Sequence, residues 1–289
     1  MRPHPTAAWP APAKLNLFLH ILGRRPDGYH LLQTCFQFVD LCDEVHIRVR
    51  SDGLIARAAG AEGVAQEADL CVCAARALQQ AAGCPLGAEM RVLKRIPMGA
   101  GLGGGSSDAA TTLVALNDLW NLSWSTQQLA DLGLTLGADV PVFVHGRAAW
   151  AEGVGERLVP LWPPRAPPQD IYLILKPNVS VSTAVVFQDP DLTRNSPAIT
   201  IDGFLASGGH NDCELVVRRR FPEVARALDF LSAFGRARLT GTGACVFVAC
   251  ESMDHGRQIR RRVPVSFETF LVRGLNDSPL LERLAVGRA

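Results

Sequence analysis

Apolar and polar positions alternate from Ala13 to Leu22. Leu15, Leu17 and Leu19 interleave with Asn16, Phe18 and His20, the two-residue period of a β-strand. Arg24 to Gly28 (RRPDG) carries turn chemistry, and an apolar run from Leu31 to Asp40 follows. Val45, Ile47 and Val49 then alternate with His46, Arg48 and Arg50, which predicts a further strand. Residues 1–12 hold four prolines and read as a loose lead-in, and Gly53 to Gly63 shows no periodicity. The period changes at Asp69. Leu70, Ala74, Ala77, Leu78 and Ala81 share one face of a helix, with Gly83 as its stop. Met90, Val92 and Ile96 alternate with Glu89, Arg91 and Arg95 as a strand that Pro97 ends. Ala109, Leu113, Leu116 and Trp120 form the apolar face of the next helix, with Ser106, Ser107 and Asp108 as its cap and lead. Ser125 and Gln128 form a capping box for a short helix through Leu129, Leu132 and Leu136.

Pro160 to Pro168 (PLWPPRAPP) contains five prolines and marks a stiff connector. Beyond it, strands are expected at Ile171–Leu175, Cys245–Cys250 and Phe267–Val272. Helices are expected around Val224–Leu231 and over Met253–Val263, and Ala237 to Gly243 (ARLTGTG) reads as a strand running into a small glycine loop. No regular βαβ rhythm emerges, so the class is α+β, with parts at 1–160 and 169–289.

Between the strand at Met90 and the helix at Ala109 lies PMGAGLGGGSSDAA, which includes Gly99, Gly101, Gly103, Gly104 and Gly105. Glycines let backbone N–H groups approach a ligand without a Cβ in the way. A helix N-terminus adds unpaired donors and a partial positive charge. Strand, glycine loop and helix in this order make an anion site, and the usual anion is phosphate. The stretch lacks GxxxxGK[ST], so it is no P-loop. Nor does its spacing give GxGxxG with an acid about twenty residues further on.

The 29 Lys and Arg against 28 Asp and Glu leave a net charge of +1, which argues against a general nucleic-acid or membrane-surface binder. The eight cysteines form no CxxC pair and most lie in apolar runs, as expected of reduced, buried thiols. No apolar run approaches a membrane span and MRPHPTAAWP has no signal-peptide core, so a soluble cytoplasmic protein is expected. Asp139, in the apolar stretch GADVPVFV, reads either as a helix cap or as a partly desolvated carboxylate.

PMGAGLGGGSSDAA resembles the phosphate-binding motif of the GHMP kinase superfamily, and its SSDAA end is similar to the branch that acts on a cytidine diphosphate methylerythritol. PAKLNLFLHILGRRPDGYH, GADVPVFVHG and LTGTGACVF resemble that branch's other motifs, in the same order over roughly residues 9 to 250. The resemblance implies a two-domain fold, with a ribosomal-protein-S5-domain-2-like N-terminal part and a ferredoxin-like C-terminal part. It implies ATP and Mg2+ as cofactors and that cytidine compound as the small-molecule substrate. It makes Lys14 and Asp139 catalytic, with Asp139 as base. It assigns ATP to Pro97, Met98, Gly99, Ala100, Gly101, Leu102, Gly103, Gly104, Gly105, Ser106 and Ser107. Tyr29, His30 and Phe187 fall at the cytidine end, two aromatic faces enclosing the base, while Asn16 and Thr183 are further substrate contacts. The glycine turn of LTGTGACVF is expected on the nucleotide side. Ala100 stands where many relatives have a further glycine, which requires a negative φ there. The metal ligands stay open: Ser106 or Ser107, Asp139, or chiefly the phosphates and water. The alternatives are another alcohol kinase of the superfamily, acting on a mevalonate- or homoserine-like substrate, or a non-catalytic nucleotide-binding protein.

Overall fold

A computed structural model describes residues 7–60 and 63–287. The strand-rich start begins earlier than its prolines suggest. β1 runs over Ala7–Arg24, so the second half of the expected lead-in is strand, while residues 1–6 lie outside the described residues. Among the described strands β1 pairs only with β2 (His30–Arg50), and Pro10 and Pro12 are tolerated on this edge strand, with a register shift between Pro12 and Ala13. The two strands expected between Leu31 and Arg50 are the single strand β2, because its pairing with β1 continues through Asp43 and Glu44.

β2 is the hub of the sheet. It pairs antiparallel with β1, with β4 (Gly87–Leu93), with β5 (Ala149–Gly153) and, at Val39 and Phe38, with the end of β10 (Phe267–Leu275). β3 (Ile55–Ala59) adds a parallel edge to β4, within the stretch that showed no periodicity; its short, small-residue sequence hides the alternation. β6 (Arg157–Pro160) pairs β5. β10 continues into β7 (Ile171–Pro177), β9 (Val246–Cys250) and the two-residue β8 (Arg238–Leu239). One ten-stranded sheet therefore runs past the proline connector.

Helices cover this sheet in two groups. In the first, α1 (Leu70–Ala82) starts where Asp69 accepts from the backbone N–H groups of Cys71 and Val72, and stops at Gly83 with φ 58°. α2 (Gly104–Leu119) packs on α1, on α3 (Thr126–Leu134), whose Ser125–Gln128 capping box is formed, and on α4 (Val140–His145). α2 departs from the expected amphipathic helix. Every residue from Ser107 to Asn117 is buried, so it is a central helix whose small residues let neighbours pack all round it. Its core includes Phe38, Met90, Leu113, Leu116 and Phe143.

The second group comprises α5 (Thr183–Gln188), α6 (Ile201–Ser207), α7 (Glu214–Arg220), α8 (Pro222–Ser232) and α9 (Met253–Arg260). Val224, Ala227, Leu228 and Leu231 of α8 are the buried face that the periodicity predicts, packed against β7 and β9. α10 (Pro279–Gly287) crosses back and packs against β1, with Leu280 in the first core. A third cluster, including Leu15, Phe18, Leu102, Tyr172 and Phe247, joins β1 and the glycine loop to β7 and β9. No disulfide is formed by the eight cysteines, and burial pushes the Cys42 and Cys213 thiols up to about 12, far from thiolate chemistry at neutral pH. No helix among the described residues is long and apolar enough to cross a membrane.

Candidate active site

The glycine loop owes its path to close backbone contacts. Gly99, Gly101 and Gly103 have φ of 61°, 76° and 74°, conformations that a Cβ resists. A Cβ on Gly101 would lie 2.2 Å from the Thr240 carbonyl oxygen, and one on Gly103 would lie 2.8 Å from the Phe143 ring. Ala100 is not among the residues of positive φ, so its methyl is tolerated in a buried position. The helix starts earlier than the serines suggest. Gly103 is the N-cap of α2 and makes no side-chain cap, so Ser106 and Ser107 sit in the first turn. The Ser107 N–H bonds the Gly103 carbonyl, and the N–H groups before it, from Gly104 to Ser106, are the helix-start donors that suit an anion.

Two cavities open on either side of this loop. The smaller, about 400 Å³, lies behind it and is lined by Pro97, Met98, Ala100 and Gly105 of the loop together with Leu70 and Lys94. The larger cleft, about 660 Å³, lies in front and contains Lys14, Asn16, Tyr29, His30, Asp139, Thr183 and Phe187. Gly101, Gly103 and Ser106 line both. Leu102 and Ser107 line neither. Leu102 is buried in the third cluster, with its carbonyl oxygen accepting from the Lys14 backbone N–H, and the Ser107 hydroxyl is buried without a partner.

At the meeting point of the cavities, Lys14 Nζ is 3.3 Å from Asp139 Oδ2. Lys14 is buried, while the Asp139 side chain is 34% exposed at the head of α4. Asp139 occupies the N-cap position, as one of the two sequence readings had it, but its side chain caps nothing and turns to the lysine. Lys14 Nζ also donates to Asn16 Oδ1 at 2.5 Å and to the Gly101 carbonyl at 3.2 Å. Asn16 is held in turn. Its Nδ2 donates to Thr34 Oγ1 at 3.0 Å, and its backbone N–H donates to Thr240 Oγ1 at 3.0 Å. Thr240 Oγ1 donates onward to the Gly101 carbonyl at 3.2 Å. β1, the glycine loop and the turn after β8 are thus cross-linked around the ammonium group.

That second turn is set by Asn211, whose Nδ2 donates to the carbonyls of Leu239 and Gly241. Gly241 and Thr242 line the larger cleft, and a Cβ on Gly241 would lie 3.3 Å from the Gly101 backbone, so this turn closes directly against the glycine loop. Thr242 Oγ1 lies 3.0 Å from Thr183 Oγ1, which puts Thr183 beside this turn.

At the far end of the cleft, the His30 and Phe187 rings stack with centroids 4.9 Å apart and planes 25° from parallel. Tyr29 is 64% exposed beside them. His30 thus covers one face of the Phe187 ring. Burial lowers the His30 pKa, and the neighbouring Arg194 and Arg24 guanidinium groups lower it further. The sequence reading passed over Arg24, which lines the cleft, and Arg194, which donates to His30. The RRPDG turn held a signal for the first; nothing local marks the second.

Behind the loop, Lys94 Nζ bonds Asp43 and, at 2.6 Å, Asp108 Oδ2. Asp43 Oδ1 accepts from the backbone N–H groups of Arg95 and Ile96, which fixes the chain as it leaves β4 for the loop. Two carboxylates share one ammonium. Burial pushes the Asp108 carboxyl up to about 7; Lys94 opposes this and Asp43 adds to it.

The chain matches the GHMP kinases N terminal domain over residues 69–147 and the GHMP kinases C terminal family over residues 192–268. It is 55% identical over 276 residues to a 4-diphosphocytidyl-2-C-methyl-D-erythritol kinase of Nitrosococcus oceani, covering 96% of this chain and 97% of the relative. It is 53% identical to the Pseudomonas syringae kinase of the same name, covering 98% and 99%. A crystal structure of 4-(cytidine 5'-diphospho)-2C-methyl-D-erythritol kinase superposes with a TM-score of 0.80 at 34% identity, covering 93% of this chain and 99% of that one. The Methanococcus jannaschii mevalonate kinase, at 16% identity and a TM-score of 0.68 over 94% and 99% of the two chains, shares the fold. The chain belongs to the GHMP kinases, in the family of the 4-diphosphocytidyl-2-C-methyl-D-erythritol kinases.

Proposed function

We propose that this kinase transfers the γ-phosphoryl group of ATP to the 2-hydroxyl of 4-(cytidine 5′-diphospho)-2-C-methyl-D-erythritol, a step of the non-mevalonate isoprenoid route. The observation that carries the reading is the Lys14–Asp139 pair at the junction of two cavities that share Gly101, Gly103 and Ser106. Phosphoryl transfer needs a donor and an acceptor brought end to end, with little covalent chemistry from the protein. ATP occupies the smaller cavity, its base near Leu70 and Met98 and its phosphates on the loop and the first turn of α2. The alcohol occupies the larger cleft, with its reacting hydroxyl at Asp139 and its base toward Tyr29, His30 and Phe187.

Asp139 accepts the hydroxyl proton as the oxygen attacks phosphorus. Lys14, paired with Asp139, offsets charge on the attacking oxygen. Its other bonds, to Asn16 and Gly101, hold the ammonium group at that point. Among the described residues no group of three or more His, Cys, Asp or Glu side chains could hold a metal ion. Ser106 and Asp139 both face the larger cleft, a hard oxygen pair suited to Mg2+ that the triphosphate and water complete. When bound, Mg2+ offsets the charge of the phosphates.

An assay of ADP release tests the reading, with the cytidine compound offered beside mevalonate and homoserine. Turnover with the cytidine compound alone is expected. Turnover with only another alcohol would keep the kinase chemistry and contradict the substrate.

A further inference from the structure

Arg194 lies in the extended segment after α5, outside every motif of the loop and the Lys14–Asp139 pair. Its guanidinium group makes a four-way clamp. Nη2 donates to the carbonyls of Phe187 at 2.9 Å and Asp189 at 2.7 Å, and Nη1 donates to that of Leu192 at 3.1 Å. Nε donates to His30 Nε2 at 3.0 Å. One side chain thus joins the end of α5, which carries Phe187, to the start of β2, which carries the histidine stacked on it.

An arginine side chain only donates. His30 Nε2 therefore accepts, and the ring proton of a neutral His30 is on Nδ1. The polar function left to a ligand is an N–H donor. On the cytidine reading above, on which this inference rests, the base must meet that donor with an acceptor. O2 accepts in both cytosine and uracil, but N3 is a bare acceptor in cytosine and carries a proton in uracil, so the donor discriminates by meeting N3. We propose that Arg194 is the positioning residue that sets the cytosine preference, by locking His30 as the Nδ1–H tautomer and holding its ring against Phe187.

The charges facing His30 come from two elements besides its own, Arg24 at the end of β1 and Arg194. The nearby carboxylates are engaged elsewhere. Asp27 pairs with Arg25 and accepts from the Tyr29 backbone N–H, and Asp189 pairs with Arg219 and Arg220. Protonation of His30 would set Nε2–H against the Arg194 donor and break the clamp. Base binding should therefore hold as pH falls through the ordinary imidazole range, and fail only below it.

The test uses the full chain with cytidine 5′-diphosphate and uridine 5′-diphosphate as probes. The 15N shifts of His30 in the unsubstituted protein should show Nδ1 protonated and Nε2 bare. Calorimetric binding should favour the cytidine nucleotide, and Arg194→Ala should cut that preference about tenfold, the size of one buried hydrogen bond. In Arg194→Ala the affinity should begin to fall at a higher pH, since a neighbouring cation has gone. ATP affinity should not change. Arg194→Lys, which keeps the charge without the planar fork, should lose the preference as well. A His30 proton on Nε2, or an unchanged nucleotide preference and pH midpoint in both variants, would overturn the role of Arg194. The Nδ1–H form in a protein that binds neither nucleotide would instead contradict the cytidine reading.

Discussion

Lys14 Nζ lies 3.3 Å from Asp139 Oδ2, although one residue belongs to the first strand and the other precedes the fourth helix. Lys14 is buried, and Asp139 remains open to the cleft. That asymmetry suits their proposed roles. The lysine is held on three sides and stays put, while the carboxylate faces the space where a hydroxyl would sit. Removing the ammonium group with Lys14→Met should lower kcat by about 10²- to 10⁴-fold, the range for loss of one positioned acid–base or electrostatic group. Steady-state kinetics at saturating ATP would show it, and a rate within a few-fold of the unsubstituted protein would contradict the role.

Gly101→Ala tests the loop. The new methyl would meet the Thr240 carbonyl oxygen at 2.2 Å in a backbone of φ 76°, and neither the turn after β8 nor the loop can yield alone. We expect loss of more than ~1 kcal/mol of stability and a raised KM for ATP. An unchanged melting temperature and KM would show that the two turns are not in contact.

Thr240→Val removes the hydroxyl that accepts from the Asn16 backbone N–H and donates to the Gly101 carbonyl. A buried donor is left unpaired, at a cost of ~1–3 kcal/mol. Urea unfolding would give the loss, and kcat should fall with it because Asn16 is a partner of Lys14.

Asp108 gives a pH prediction. Its carboxyl titrates near 7 when folded, above its value in an unfolded chain, so the native state binds the extra proton between those two pH values. This group's contribution to stability is present at low pH and is lost as pH rises toward about 7. Asp108→Asn, which keeps the bond geometry without the titration, should flatten that fall in thermal melts recorded from pH 5 to 8. An identical pH profile would place the carboxyl's titration elsewhere.

The elements with a clean period were legible in the sequence. α1 and α3 start and α1 stops where Asp69, Ser125 and Gly83 act on neighbours a turn away, and α8 buries the face its period gives. But α1 buries Cys71, Val72 and Ala75 in place of Leu70, Ala77 and Ala81, and α3 ends at Leu134, short of Leu136. β3 and α10 were not, since each is decided by what it packs on rather than by its own pattern. α2 looked amphipathic because Ala109, Leu113, Leu116 and Trp120 are its large or aligned apolar positions. Ala110, Thr111, Thr112 and Ala115 are buried as well, and small side chains leave little periodic signal.

The site shows the same division. The glycines of the loop announce an anion site by type and spacing alone, and the motif resemblance named Lys14 and Asp139 without any local feature pairing them. Arg194 had no such signal. Its partners are three carbonyl oxygens and a distant histidine, which no spacing encodes.

The most direct test is single-turnover phosphorylation of 4-(cytidine 5′-diphospho)-2-C-methyl-D-erythritol by the unsubstituted protein and by Asp139→Asn, with ATP binding measured alongside. The account predicts phosphorylation at the 2-hydroxyl by the former, a rate lower by about 10²- to 10⁴-fold in the latter, and ATP binding retained in both. A near-normal rate in Asp139→Asn, or no phosphorylation by an unsubstituted protein that binds ATP, would contradict it.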